Sequence, residues 1–152
     1  MSSIRRWVIL RLNKDLEYAL ISLVEIARIP SGHLMTARQL SEEFEIPFKL
    51  LARVLQKLKT GGLLLSVKGA NGGYCLAKAA DEIRLGSIMK AVRGDEYIAD
   101  CLNDAAHCAQ NDCGCTIKPL IQKLQDKWVS FVESITLKEF VWAELREDSK
   151  EE

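Results

Sequence analysis

Apolar residues in the first 60 positions recur at helical spacing and predict three helices. The first covers 14–28, where an apolar residue returns every three or four positions, and it ends before a Pro-Ser-Gly segment. Thr36 has the side chain of an N-cap for a short second helix over 37–44. A break at 45–47 separates it from a third helix over 48–60. The pattern therefore predicts one longer helix and then two helices joined by a tight turn.

The third predicted helix separates an apolar face from a narrow, positively charged one. Its apolar stripe consists of Leu51, Val54, Leu55 and Leu58. The opposite face, at positions i, i+3, i+4 and i+7, carries Lys49, Ala52, Arg53 and Gln56. Lysine and arginine donate hydrogen bonds to guanine edges and phosphates, and a small residue permits close approach. This face is either a nucleic-acid contact or an ordinary solvated charged face.

A glycine-rich hairpin follows the three helices. Two predicted strands, 63–68 and 73–78, flank a turn at 69–72. Helix, helix, turn, helix and hairpin is the order of a winged helix-turn-helix, whose third helix enters the major groove of DNA. Lys68 and Asn71 at the hairpin tip suit contact with a sugar-phosphate backbone, because glycines let the turn lie close to it. Taken alone, the turn indicates only a tight hairpin.

The rest of the chain predicts a short helix, a loop and a long helix that needs a partner. After a helix over 83–94, a loop leads to apolar residues that step by 4, 3, 4, 3 and 4. These residues are Ile117, Ile121, Leu124, Trp128, Phe131 and Ile135. That spacing is typical of the seam between two helices, so we expect the helix to pack against its twin in a homodimer. Thr136 and Glu139 resemble a capping box and predict a final helix over 137–146.

These patterns predict a mainly α-helical protein with a small β-hairpin. The 152 residues, of which 48% are hydrophobic, suffice for one compact core and an appended element. We expect a winged helix-turn-helix domain over 1–94 with an N-terminal extension over 1–10, a cysteine-rich loop over 95–116, a dimerisation helix and short terminal helix over 117–146, and a frayed tail over 147–152.

Composition excludes several classes of protein. No apolar run approaches the ~20 residues needed to span a bilayer, and no small-residue cleavage site follows the apolar start of the chain, so we expect a cytoplasmic protein. The sequence offers no nucleophile with a base, no phosphate loop and no catalytic carboxylate pair, so we do not expect an enzyme.

The charge is unevenly distributed although the formal net charge is zero. Residues 1–78 carry 12 Lys or Arg against 6 Asp or Glu, whereas residues 79–152 carry 9 against 15. Unless this asymmetry is chance, only the first half of the chain is suited to an anionic partner.

Four cysteines cluster in the predicted loop, at Cys101, Cys108, Cys113 and Cys115. Such clustering in a reducing compartment favours metal over disulfides. The spacing C-x6-C-x4-C-x-C differs from the paired knuckles of common zinc sites, although zinc stays an alternative. An iron–sulphur cluster suits an irregular loop, because the protein need supply only three or four soft donors. His107 is a reserve ligand or faces solvent, and Cys75 is expected as a small core residue of the hairpin.

The chain resembles the bacterial IscR/NsrR-type regulators over about 11–145. The matching segments are Arg11-Leu12-Asn13-Lys14, Tyr18-Ala19-Leu20, 46–58, Gly62-Leu63, Ser66-Val67-Lys68-Gly69, Gly72-Gly73-Tyr74 and 83–94. The resemblance implies a winged-helix dimer that senses iron–sulphur status, nitric oxide, iron or redox state. With the positions that it adds, the candidate DNA-binding residues are Thr36, Phe48, Lys49, Ala52, Arg53, Gln56, Lys68, Asn71 and Gly72.

The resemblance also implies that three loop cysteines ligate a 2Fe-2S or 4Fe-4S cluster. A fourth ligand can come from the first helix of the other subunit, and Glu17 occupies that place; its alternative role is an ordinary exposed helix charge. The candidate metal ligands are therefore Cys101, Cys108, Cys113, Cys115 and Glu17. Three loop cysteines are usual in the family, so here either Cys113 or Cys115 is spare, or all four bind and release Glu17. Lys118 stands where IscR-like members place a histidine ligand, which argues against a histidine site.

The sequence thus predicts a dimeric DNA-binding transcriptional regulator, a repressor, whose affinity for a pseudo-palindromic operator is switched by an iron–sulphur cluster. The first alternative is a cluster-free regulator that uses cysteine oxidation or zinc. The second is a small electron-transfer protein, which would leave Lys49, Arg53 and the hairpin without a purpose.

Overall fold

The structure is a computed structural model that describes residues 12–103 and 114–147. Helix α1 (Lys14–Arg28) has the predicted bounds and begins where Asn13 caps it. The Asn13 side chain accepts a hydrogen bond from the backbone N–H of Leu16 at 3.0 Å, which satisfies one of the amides that a helix start leaves without a partner. The apolar face of α1 is buried, and α1 packs mainly against α3 (Phe48–Thr60) and α4 (Leu85–Arg93).

The predicted N-cap at Thr36 is confirmed and forms a full capping box at α2 (Ala37–Glu43). The Thr36 hydroxyl oxygen accepts from the Gln39 backbone N–H at 3.1 Å, and the Gln39 side chain accepts from the Thr36 backbone N–H at 2.8 Å. After α2 the chain turns sharply at Glu45, whose φ is 51°. The Ser41 hydroxyl closes this turn by donating to the Ile46 carbonyl at 2.7 Å. The turn fixes the angle at which α3 leaves α2.

Two antiparallel strands form the hairpin, β1 (Leu64–Val67) and β2 (Gly73–Leu76). Both are shorter than predicted. The N–H of Leu63 bonds to the Leu58 carbonyl at the end of α3, so Leu63 meets the other side of the hairpin through its carbonyl, which accepts from the Ala77 N–H at 3.0 Å. The hairpin is also held to the segment before α2, because Met35 and Tyr74 exchange two backbone hydrogen bonds at 3.1 and 2.8 Å. Gly73 permits this approach, since a Cβ there would lie 2.9 Å from the Met35 carbonyl oxygen.

The second half of the described chain contains α4, then α5 (Asp100–Asn103), α6 (Lys118–Ser134) and α7 (Leu137–Glu147). The single turn α5 falls inside the segment 95–116, which the sequence predicted as a loop. It was not predicted because the apolar residues of this segment do not recur at helical spacing. Backbone bonds from Leu85 to Ile135 and from Leu137 to Ile83, both at 2.9 Å, tie the start of α4 to the junction of α6 and α7.

One hydrophobic core holds these elements together. Apolar residues of α1, α2, α3, β1 and α4 fill it together with Val132 of α6 and Leu137 of α7. The winged helix-turn-helix fold predicted from the sequence is therefore confirmed, while the domain boundaries stay a prediction. Within the described ranges, no helix is long and apolar enough to cross a lipid bilayer.

Candidate nucleic-acid interface and metal site

The outer face of α3 presents the side chains that the sequence singled out. Lys49, Arg53 and Gln56 are exposed, and Ala52 is half-buried between them. Their positions on the face opposite the buried stripe follow from the helical spacing, since Leu51, Val54, Leu55 and Leu58 are fully buried. These side chains project from the face that lies away from the core, as a helix that enters a DNA groove requires.

Phe48 is unusual among the exposed residues at the start of α3. Its side chain is 51% exposed, although phenylalanine side chains are ordinarily packed in the hydrophobic core. An apolar side chain in this position is suited to contact with a thymine methyl group. The structure thus leaves the first turn of α3 with an apolar contact surface next to Lys49.

Arg53 and Lys57 share one carboxylate, that of Asp15 on α1. Arg53 Nη2 donates to Asp15 Oδ1 at 2.9 Å and to Oδ2 at 3.1 Å, and Lys57 Nζ donates to Oδ2 at 3.2 Å. Burial acts to raise the pKa of Asp15, but the hydrogen bonds and charges from Lys57 and Arg53 outweigh it and leave that pKa below its ordinary value. Neither Asp15 nor Lys57 was a candidate from the sequence, because a pattern within one helix carries no information about a partner on another.

The wing and the end of α3 border a cleft whose two lysines, Lys59 and Lys68, suit a phosphate backbone. Lys68 and Asn71 at the wing are exposed, and Gly72 is half-buried. The cleft is lined by Thr36, Ala37, Lys59, Ser66, Val67, Lys68, Gly69, Gly72, Gly73 and Tyr74. Lys59, in the last turn of α3 beside the wing, is a cation that the face at Lys49 and Arg53 did not include, although its place follows from the predicted helix. The Thr36 hydroxyl in this cleft is already engaged in the capping box.

Two of the four loop cysteines belong to the described chain. Cys101 on α5 and Cys115 just before α6 are free thiols, and both are partly exposed. Cys108, Cys113 and His107 lie outside the described residues, as does the extension over 1–10. Among the residues that are described, no three potential ligands come together as a metal site.

The chemistry of the donor set fits an iron–sulphur cluster. Cys101 and Cys115 flank the loop that carries the other two cysteines, so all four thiols belong to one segment. Thiolates are the donors such clusters take, and partly exposed thiols can exchange their protons for a metal. Cys75 lies on β2, opposite Leu65 in the strand register, and is half-buried in the wing.

Glu17 lies in the first turn of α1 and is partly exposed. Its Oε2 forms an ion pair with Lys14 Nζ, one turn earlier on the same helix, at 2.7 Å. Exposed pairs of this kind are weak, so Lys14 would not prevent Glu17 from meeting a stronger cation.

The seam predicted on the long helix remains open on one side. Ile117, Leu124 and Phe131, which are seven residues apart, are 60%, 44% and 55% exposed. Trp128, from the other line of the seam, packs partly against the core of its own chain, and its ring centroid lies 5.8 Å from that of Phe131. An exposed apolar line along about four helical turns is typical of a helix that packs against a second helix in an oligomer.

Comparison with known proteins gives consistent matches across most of the chain. The family model Rrf2, described as an iron-dependent transcriptional regulator, matches residues 12–143. An HTH-type transcriptional regulator NsrR from Halalkalibacterium halodurans is 27% identical over 132 residues, which is 87% of this chain and 90% of the relative. An HTH-type transcriptional regulator IscR from Pectobacterium carotovorum is 31% identical over 137 residues, 87% of this chain and 79% of the relative. The solved structure of CymR, the global cysteine regulator of B. subtilis, is similar in fold, with a TM-score of 0.69 at 21% identity and coverage of 89% of this chain and 98% of that one.

Proposed function

The chain belongs to the Rrf2 family of transcriptional regulators, and on that premise we propose that it is a dimeric repressor whose affinity for DNA is switched by an iron–sulphur cluster. Membership makes it a DNA-binding regulator and not an enzyme, and it confirms the resemblance to IscR/NsrR-type regulators. The cluster, its ligands, the dimer, the form of the operator and repression belong to the proposal.

The observation that carries the DNA contact is the uncovered face of α3 beside the wing. Phe48, Lys49, Ala52, Arg53 and Gln56 would lie at the major groove, where lysine and arginine donate to guanine and phosphate and apolar groups meet thymine methyl groups. The wing would follow the adjacent minor groove through Lys68, Asn71 and Gly72, with Thr36 beside the backbone. The surplus of basic residues in the first half of the chain supports this orientation.

The dimer follows from the uncovered apolar line of α6. Pairing the line of Ile117, Leu124 and Phe131 with the same line of a second copy would bury side chains that otherwise remain in water. A two-fold dimer has two copies of α3, which suits two half-sites about one DNA turn, ~34 Å, apart. The operator that we propose is therefore a pseudo-palindrome.

Cysteine thiolates of the loop would hold the cluster. Either Cys101, Cys108 and one of Cys113 and Cys115 act together with Glu17 of the partner subunit, or all four cysteines bind and Glu17 keeps its pair with Lys14. When bound, an iron–sulphur cluster supplies a centre that responds to iron supply, redox state or nitric oxide. A carboxylate at Glu17 would make α1 of one subunit depend on the loop of the other.

The connection between loop and DNA-binding surface is short. The loop leaves the end of α4 and enters the start of α6, while the start of α4 is held to the junction of α6 and α7 by two backbone bonds. Helix α4 also packs against α3. A change in the loop would thus shift α6 relative to α4 and alter the spacing of the two copies of α3, which biases the dimer toward or away from the DNA-competent geometry. A dimer bound across a promoter would exclude the transcription machinery, which is why we propose repression.

Anaerobic purification followed by selection of DNA fragments tests this function. We expect coloured protein with iron and acid-labile sulphide, a dimer in solution, and enrichment of fragments that share a two-fold motif. Colourless protein that still selects DNA would favour the cluster-free regulator with zinc or oxidised cysteines. Protein that cycles its redox state but has no affinity for DNA at low salt would favour the electron-transfer alternative.

A further inference from the structure

An acidic side chain lies against the face of α3 that is proposed to meet DNA. Asp15 is the second residue of α1, and its carboxylate reaches across to Arg53 and Lys57, which lie one turn apart on α3. Its side chain is 21% exposed, so it is held between the two helices and does not extend freely into water.

The two cations are held in different ways. Lys57 Nζ also donates to the Val92 carbonyl at the end of α4, at 2.9 Å. The Lys57 ammonium group is therefore held by two acceptors, one on α1 and one on α4. Arg53 uses one nitrogen, Nη2, for both carboxylate oxygens, and its side chain is 55% exposed. The guanidinium has five N–H donors in a rigid fork, so its Nε and Nη1 edges can point outward while Nη2 is held.

Stability accounts for only a small part of this arrangement. Ion pairs with a partner this exposed contribute little to folding, and a carboxylate beside a polyanion weakens binding by repulsion. A negative charge at this position is useful if it restricts a long side chain to one orientation before DNA arrives. Lys57 then serves as a second anchor that keeps the carboxylate of Asp15 in place.

We propose that Asp15 is a positioning residue that aims the Arg53 guanidinium at one base pair, so that sequence discrimination at that pair depends on Asp15. This inference rests on the proposed function, in which α3 enters the major groove. Arg53 makes the contact with the base, and Asp15 acts only through Arg53. Changes at the two residues should therefore have non-additive effects on sequence discrimination. Their effects on affinity for DNA of any sequence should follow the charge that each change removes.

The test compares affinities for a selected operator, for copies altered at single base pairs, and for scrambled DNA. Operators are first selected with the wild-type dimer, and Asp15→Asn, Arg53→Ala and the double variant are then measured by fluorescence anisotropy. We expect Asp15→Asn to keep or gain affinity for scrambled DNA, because it removes a negative charge, and to lose about tenfold of its discrimination at one base pair. Arg53→Ala should lose discrimination at the same pair, and the double variant should lose no more than Arg53→Ala alone.

The exposed Asp81, between the wing and α4, provides the matched control, and Asp81→Asn should change neither quantity. Thermal unfolding establishes that each variant is folded. If Asp15→Asn does not fold, Arg53→Lys keeps the charge without the fork and should lose the same discrimination while its affinity for scrambled DNA is unchanged. Full discrimination by Asp15→Asn, or by Arg53→Lys in its place, overturns the inference. A wild-type dimer that selects no sequence at all overturns the proposed function instead.

Discussion

The side chain of Gln125 on α6 holds the backbone of Ile98, where the chain approaches the cysteine-rich loop. Gln125 Oε1 accepts from the Ile98 N–H at 2.8 Å, and Gln125 Nε2 donates to the Glu96 carbonyl at 3.2 Å. Gln125 is only 8% exposed, so these bonds replace the water that its amide loses. The segment that leads to Cys101 is thereby attached to α6, the proposed dimerisation helix.

Replacing Gln125 by leucine tests this attachment. The change leaves the Ile98 N–H and the Glu96 carbonyl without their side-chain partner, and it should lower the free energy of unfolding by about 1–3 kcal/mol. Chemical denaturation measures the loss. Gln122 on the same helix is exposed and bonds to the exposed Asp126, so Gln122→Leu should change the free energy of unfolding by no more than about 0.5 kcal/mol. Equal losses in both variants would show that the buried amide has no special part.

The cysteines should differ in their effect on cluster content. Cys101→Ser removes a thiolate donor from the loop, so iron and acid-labile sulphide should fall to background in protein prepared anaerobically. Cys75→Ser changes a thiol on the wing strand and should leave both quantities at the wild-type level. Loss of iron in the Cys75 variant, or retention in the Cys101 variant, would place the donors elsewhere.

The apolar line of α6 should determine the oligomeric state. Phe131→Asp puts a charge into the proposed seam twice per dimer, and we expect the dimer dissociation constant to rise by about 100-fold or more. Analytical ultracentrifugation measures this constant. Ser130, the preceding residue, is exposed and lies off the seam, so Ser130→Asp should remain dimeric. Dimers of unchanged affinity in the Phe131 variant would assign the interface to another surface.

The wing lysine should act through phosphate and not through base sequence. Lys68→Gln should weaken binding to all DNA sequences similarly and reduce the slope of log affinity against log salt by about 1. Lys138 is exposed on α7, away from the wing, so Lys138→Gln should leave the slope unchanged. An effect of Lys68→Gln that is confined to one operator base pair would assign this residue to base recognition instead.

Local pattern was sufficient to predict most of the fold. Helices α1 and α3 have the bounds that their apolar spacing and flanking residues indicate, and the cap at Thr36 is formed by neighbours in sequence. Such features depend on residues three or four positions apart, which a single sequence displays directly. The single turn α5 was not expected, because four residues are too short to establish a period.

The contacts between elements were not accessible in the same way. Asp15 and Arg53 are 38 positions apart, and Gln125 is 27 positions from Ile98. In the sequence, Asp15 is an acidic residue in the first turn of a helix, where such residues are common. Gln125 is one of several polar residues of an amphipathic helix. Their roles arise only when packing brings α1 to α3 and α6 to the segment after α4. The proposed positioning of Arg53 therefore depended on the structure, whereas Arg53 itself was predicted.

The central claim is that the loop cofactor changes how the dimer binds DNA. The most direct test is the affinity of one selected operator for the same anaerobic preparation before and after removal of iron with a chelator, at a fixed salt concentration. We predict that the two forms differ by at least about tenfold, which lies within the ~5- to 150-fold range that typical coupling energies produce. Equal affinities of the cluster-containing and cluster-free forms for every selected site would contradict the switch.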